Sequence, residues 1–296
     1  MTGIICLDKP CNMTSFMAVK KASRILGVKK AGHTGTLDPM ATGVLVIMLG
    51  SCTRFIELLP EHRKSYSARV KLGLTTDTLD ITGEVLSENP VNVTEEELIR
   101  VAEGFKGDIL QTPPMYSALK KDGERLYDLA RKGIEIEREQ RRITVEKLEI
   151  HDFDGTEFSM DVTCSAGTYI RSLCDDIGKV LGCGAVMTEL RRTEANGFSI
   201  EKAVTLEDLE KLVSENNADG VITPVENALM SYPEITVTTP QANRFSNGGE
   251  LGYGRLHGEY PVGIYRVYSP ERRLLGLGEI LTEKGDLTVR RVLIDE

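Results

Sequence analysis

The sequence predicts an α+β protein with a large first domain, residues 1–231, and a small β-rich second domain, residues 232–296. Three observations carry this. The 296 residues suffice for one domain of roughly 200 residues and a smaller one. Strand and helix patterns mix irregularly through the first part instead of alternating as βαβ units would. From about Tyr232 onward only short strands separated by Gly, Pro and Asn can be read. The chain contains no internal repeat and no low-complexity tract.

The elements follow in order. Thr14 or Ser15 can cap a helix running to Leu26, which Gly27 stops. At ~100° per residue, Ala18, Val19, Ala22, Ile25 and Leu26 make one apolar arc and leave Lys20, Lys21 and Arg24 on the opposite face. Val44 to Leu49 reads as a buried strand, and Tyr66, Ala68, Val70 and Leu72 alternate with polar neighbours as a half-buried strand does. Thr94 with Glu97 forms a capping box, and a further helix near Leu126 to Arg131 ends at Gly133. Ile143 to Ile150 and Phe158 to Cys164 are strands, the second with Phe158, Met160, Val162 and Cys164 inward. Thr168 is expected to cap a helix closed by Gly182, and an acidic helix spans Thr205 to Val213.

Composition narrows the function classes. The chain is 41% hydrophobic and 27% charged, and no apolar run approaches the ~18 residues that cross a bilayer. The start lacks the charged and apolar regions of a signal peptide, so a cytoplasmic protein is expected. The six cysteines form no CxxC pair and the four histidines show no ligand spacing, so no metal is expected and the thiols read as reduced core residues. A formal net charge of −9 argues against nucleic acid as a partner when taken globally. Locally, however, Lys9, Lys20, Lys21, Arg24, Lys29 and Lys30 form a basic stretch while acids concentrate in Glu201 to Glu226. Such segregation can steer an RNA onto one face.

The chemistry concentrates in GHTGTLDPMATGVL, residues 32–45. Three glycines, a histidine and an Asp-Pro turn immediately precede a buried strand, which makes a loop on a rigid support. The text matches neither GxxxxGK[ST] nor GxGxxG, so no nucleotide cofactor is expected. Asp38 taken alone would be a turn or capping carboxylate. As a nucleophile it needs no activating base, because a carboxylate with a pKa of about 3.9 is already ionised at neutral pH.

The segment closely resembles the signature of the TruB family of pseudouridine synthases, in which the aspartate of the GTLDP element is the nucleophile. Other stretches are similar to further family elements: Leu7-Asp8-Lys9-Pro10 with Met13-Thr14-Ser15, Lys64-Ser65-Tyr66, Thr76 to Asp80, Gln111 to Ala118, Gly167 to Leu173 and Leu190 to Thr193. Cys11 departs from the glycine common there. The resemblance implies a catalytic domain built on a mixed, largely antiparallel sheet, with a PUA-like RNA-binding domain at the C-terminus. It implies isomerisation of the T-loop uridine of tRNA, position 55 in tRNA numbering; that reaction has no net redox change and no second substrate, so no cofactor is expected, and a monomer is expected.

The same resemblance implies the site. Asp38, Tyr66 and Arg171 are catalytic; His33, Tyr169, Leu190 and Lys64 contact substrate, and the basic helix face, read from periodicity, adds Lys20 and Lys21 on the RNA. Arg171 would hold the Asp38 carboxylate through a bidentate pair. Near a helix N-terminus its charge faces the wrong end of the dipole, a cost such a pair would offset. Tyr66 would stack on the flipped base and serve proton transfer, and Leu190 would lie beside the base. Arg244, Arg255, Arg266, Arg272 and Arg273 would be available for phosphate. Two rival classes are weighed. A non-catalytic tRNA-binding or folding module fits the basic face but not the presence of Asp38, Tyr66 and Arg171 together. A metal-dependent hydrolase using Asp38, Asp77 and Asp80 lacks a recognisable ligand set.

Overall fold

The computed structural model describes residues 1–60, 62–121 and 123–293. The chain forms two compact units, one holding Met1–Pro39, Val44–Glu61 and Asn196–Glu296, the other Met40–Gly43 and His62–Ala195.

Strand Thr42–Leu49, which lies in the first unit from Val44 onward, pairs with Gly3–Lys9 and, antiparallel, with Ala31–His33. Val44 to Leu49 are completely buried, which is why this run is apolar at every position and not at alternate ones. Helix Ser15–Ile25 begins where the Thr14 hydroxyl accepts the Met17 N–H at 3.1 Å. Helix Leu206–Ser214 begins in the same way, Thr205 accepting from Asp208 N–H at 3.0 Å. The two helices set Ala18, Val19, Ala22 and Leu209 against Ile5, Leu7, Leu45 and Ile47 in a shared core.

The tail carries a separate four-stranded sheet. Glu234–Thr236 runs parallel to Gly263–Tyr268, and Leu274–Ile280 and Leu287–Val292 follow antiparallel. It has its own core, including Ile235, Val267, Leu275, Ile280 and Phe245. Phe245 belongs to helix Thr239–Ser246, so the expectation of strands alone after Tyr232 needs correction. Pro240 sits in the first turn, where a missing N–H costs nothing, and Gln241 Oε1 accepts the Thr238 N–H at 2.8 Å.

The second unit is built on strands in the order Ala185–Ala195, Lys64–Leu72, Glu157–Cys164, Arg141–His151, Gly107–Gln111, antiparallel throughout. Thr42 and Gly43 add a parallel bridge to Arg191 and Arg192, which makes the sheet mixed. Tyr66, Ala68, Val70 and Leu72 are buried, as are Phe158, Met160, Val162 and Cys164, following the alternation in the sequence. Helix Ile170–Val180 buries Ile170, Leu173, Cys174 and Ile177. Its cap is Tyr169 and not the expected Thr168, whose hydroxyl instead donates to the Ser165 carbonyl at 3.0 Å.

Gly43 tests the close approach at the parallel bridge. Its φ is 97°, and a β-carbon there would overlap the Arg192 carbonyl oxygen. Gly27 also has positive φ, at 65°, but nothing lies within 4 Å of its would-be β-carbon. Gly43→Ala is expected to cost ~3 kcal/mol or more, and Gly27→Ala only ~1 kcal/mol. Urea unfolding midpoints of both variants decide this; equal penalties would contradict a close contact at Gly43.

Candidate functional site

In the first unit, the segment leading to Asp38 is fastened at successive points. Thr34 N–H donates to Val46 O at 3.1 Å, and the Thr34 hydroxyl donates to Asn196 Oδ1 at 2.6 Å. The buried Ser15 hydroxyl accepts the Leu37 N–H at 2.8 Å and donates to the Leu37 carbonyl at 3.0 Å. On the other side of Asp38, the fully buried Lys9 ammonium reaches the carbonyls of Pro10, Met13 and Pro39 at 2.8, 2.6 and 3.3 Å. Asp38, half-buried, is therefore carried by backbone whose neighbours on both sides are held. His33, also half-buried, ends strand Ala31–His33 opposite Ile47.

Neither anchor is evident from sequence spacing. Ser15 reads there as an alternative cap; Thr14 takes that task, which leaves the Ser15 hydroxyl for Leu37. Lys9 reads as one of a basic run facing RNA. It is instead an interior cation, because three carbonyl oxygens replace its water.

In the second unit the ladders put Tyr66 opposite both Arg192 and Val162, and Ala68 opposite Leu190. Directly opposed residues share a sheet face, so Tyr66, Leu190, Arg192 and Lys64 lie on one face. Tyr66 and Leu190 are both buried. Burial, and then the Arg192 charge, bring the Lys64 ammonium down to about 8.

Arg171, second residue of helix Ile170–Val180, is 5% exposed. Its guanidinium donates to Thr78 O at 2.9 Å and Tyr116 O at 2.8 Å and lies 3.6 Å from Asp80 Oδ2. Asp80 Oδ1 in turn accepts from the Thr78 hydroxyl, Thr82 N–H and Thr82 hydroxyl at 2.9, 3.0 and 2.6 Å. Asp77 takes the Tyr116 hydroxyl at 2.9 Å and Glu84 N–H at 2.7 Å. These contacts commit Asp77 and Asp80 to structure and so weaken the metal-ligand reading further. Tyr169, the helix cap, is fixed through its backbone: its N–H donates to Gln111 Oε1 at 2.8 Å and its carbonyl accepts from Gln111 Nε2 at 3.0 Å. Segments 76–80 and 111–116 thus serve as the mounting of Arg171 and Tyr169.

The charged surfaces differ from expectation. Lys20 and Arg24 are exposed on helix Ser15–Ile25, but Lys21 pairs with Glu210 of the acidic helix at 3.4 Å. In the tail, Glu234 holds Arg272 at 2.9 and 3.1 Å, and Arg266 donates to the Tyr232 carbonyl at 2.8 Å. Arg244 is tied to the Glu250 carbonyl at 2.7 Å. These three are held by protein groups, whereas Arg255 is exposed. A second basic surface, unmarked by sequence pattern, includes Lys120, Arg125 and Arg131, with Arg125 and Arg131 both within 5.6 Å of the Tyr127 ring centre, while Lys132 pairs with Glu124 and Lys121 with the Glu137 carbonyl.

Three family models match the chain in succession. These are TruB family pseudouridylate synthase (N terminal domain) over residues 23–170, tRNA pseudouridylate synthase B C-terminal domain over 171–230, and Pseudouridine synthase II TruB, C-terminal over 233–293. The chain is 47% identical to tRNA pseudouridine synthase B of Azoarcus sp. (strain BH72), covering 98% of this chain and 94% of that protein. It is 46% identical to the protein of the same name from Clostridium tetani (strain Massachusetts / E88), covering 94% and 96%. Among solved structures, a chain of a Cbf5-Nop10-Gar1 complex matches with a TM-score of 0.76 at 29% identity over 99% of this chain and 85% of that one. A chain of an H/ACA RNP bound to a substrate RNA containing 2'-deoxyuridine matches with a TM-score of 0.74 at 27% identity, covering 99% and 85%.

Two outcomes are expected from this geometry. Ser15→Ala strips both polar atoms of the Leu37 backbone of their partner and should cost ~1–3 kcal/mol in urea unfolding; a neutral effect would contradict the clamp. For Lys64, a folded value of about 8 against an ordinary 10.5 means that the burial cost is fully present below pH 8. Between pH 8 and 10.5 the unfolded chain keeps the proton that the folded chain has released, so the cost is relieved. Wild-type stability relative to Lys64→Met should therefore rise across that window and stay level below it.

Proposed function

The chain belongs to the TruB family of pseudouridylate synthases, and from that premise we propose that it converts a uridine of the tRNA T-loop to pseudouridine, with the carboxylate of Asp38 as nucleophile. The reaction breaks the N1–C1′ bond and forms a C5–C1′ bond, while the proton lost from C5 is balanced by one gained at N1. Electrons balance without an oxidant or reductant, and the atoms without a second substrate. The carboxylate can add to C1′ of the ribose or to C6 of the base; in either case it must be presented ionised and in a fixed position.

The observation that carries this reading is the fastening of the backbone on both sides of Asp38, by Ser15 at Leu37 and by Lys9 at Pro39. A freely moving loop would lose the orientation that nucleophilic attack needs, and a 1 Å displacement can cost about two orders of magnitude in rate. Within the proposal, Arg171 keeps the nucleophile charged, while Tyr66 and Leu190 meet the face and edge of the extruded base. Tyr169, His33 and Lys64 add substrate contacts, and Lys20 meets the RNA, Lys21 being held by Glu210. The domain boundary at residues 231/232, a PUA-like role in RNA binding for the tail, a monomeric state and a cytoplasmic location complete the reading. A non-catalytic tRNA-binding module is not favoured, since the similar proteins carry the enzyme's name over nearly their full length.

Single-turnover conversion of a tRNA transcript tests the nucleophile. Asp38→Asn should abolish it while filter binding stays within a few fold, because the lost group reacts instead of anchoring. Residual conversion above about one per cent of wild type would overturn the assignment. The reaction itself is checked with uridine tritiated at C5: wild type should release tritium to water stoichiometrically, and none should be released if the protein only binds RNA.

A further inference from the structure

Helix Ser15–Ile25 turns Ala18, Val19 and Ala22 inward, yet Phe16 and Met17 in its first turn are 73% and 54% exposed. The core beneath the helix is closed without them. Scattered single apolar side chains on a surface need no explanation, but two in succession, one of them aromatic, form a small patch. At ~100° per residue, Phe16, Lys20 and Arg24 fall on one stripe, and Lys20 and Arg24 are both exposed. Lys21 is occupied by Glu210. The stripe also has a definite address. Phe16 directly follows Ser15, whose hydroxyl grips the residue before Asp38, so it stands within a few residues' reach of the proposed nucleophile's backbone.

We propose that Phe16 is a stacking platform for an unpaired RNA base flanking the modified uridine, with Lys20 and Arg24 on the adjoining phosphates. The inference rests on the uridine-modifying reading above and deepens it. A uridine drawn out of a loop leaves its neighbours with an exposed face, and a protein ring can replace the lost stacking regardless of base identity. Cations at one and two helical turns from the ring match the backbone that must accompany such a base. A protein partner fits less well, because the apolar area beside Phe16 on this helix is limited to Met17 and gives way to positive charge.

The test measures filter binding and turnover of a T-arm RNA by Phe16→Ala, Phe16→Trp, Phe16→Leu and the double variant Lys20→Gln/Arg24→Gln, at several salt concentrations. Phe16→Ala should raise Kd and KM about ten-fold, with the loss in KM and not in kcat and with the salt slope unchanged. Phe16→Trp should bind as wild type does, and Phe16→Leu as poorly as Ala. The double variant should lower the salt slope by about 0.7 for each contact removed. A 2-aminopurine placed beside the target uridine should be quenched by wild type and less so by Phe16→Ala. Unchanged affinity in Phe16→Ala, rescue by Leu equal to that by Trp, or a loss confined to kcat would each overturn the platform. These failures differ from failure of the proposed reaction, in which wild type itself would release no tritium.

Discussion

The Leu37 backbone is held at both its N–H and its C=O by one buried hydroxyl, that of Ser15. A buried backbone group without a partner is costly, so this arrangement decides where residues 34–39 can run. It also decides how helix Ser15–Ile25 begins, since Thr14 must cap the helix while Ser15 faces inward. Lys9 extends the same logic from strand Gly3–Lys9 by filling a site lined by carbonyl oxygens. Strand, helix and loop are thereby made interdependent, and Asp38 inherits its position from all three.

The electrostatic character of the chain is likewise set by pairing more than by composition. A count of basic residues treats Lys9, Lys21, Arg266 and Arg272 as equal to Lys20 and Arg24. Lys9 is interior, and the others have carboxylate or carbonyl partners. Exposed pairs of this kind contribute little to stability, but they divert charge from a polyanion. What is left uncommitted on helix Ser15–Ile25 is narrow, so the phosphate contacts proposed for it would be directional.

Much of the fold was legible in the sequence because its signals are local. The two-residue alternation of Phe158 to Cys164, the continuous apolar run to Leu49 and the Thr caps at 14, 94 and 205 depend on neighbours in the chain, and each corresponds to the element expected. Helix Thr239–Ser246 was also written locally, in Thr238 and Gln241, but Pro240, Asn243 and Asn247 speak equally for turns. The start of helix Ile170–Val180 was not legible, because Gln111, 58 residues away, fixes the Tyr169 backbone. For the candidate site, the family signature marked Asp38, Tyr66, Arg171 and Leu190. Their supports, Ser15, Lys9, Asp80 and the Tyr116 carbonyl, are long-range pairings that no spacing rule encodes.

The mounting of Arg171 carries a consequence for how the chain folds. Its guanidinium draws on Thr78, 93 residues earlier, and Tyr116, 55 residues earlier, so its burial is a high-contact-order event. A half-assembled chain that buried the cation without these carbonyls would meet a desolvation penalty of several kcal/mol. Premature collapse around helix Ile170–Val180 is thereby disfavoured until residues 76–80 and 111–116 arrive. Strand registers that misplace either segment would leave the Arg171 charge buried without its carbonyl partners, a penalty that favours the native register.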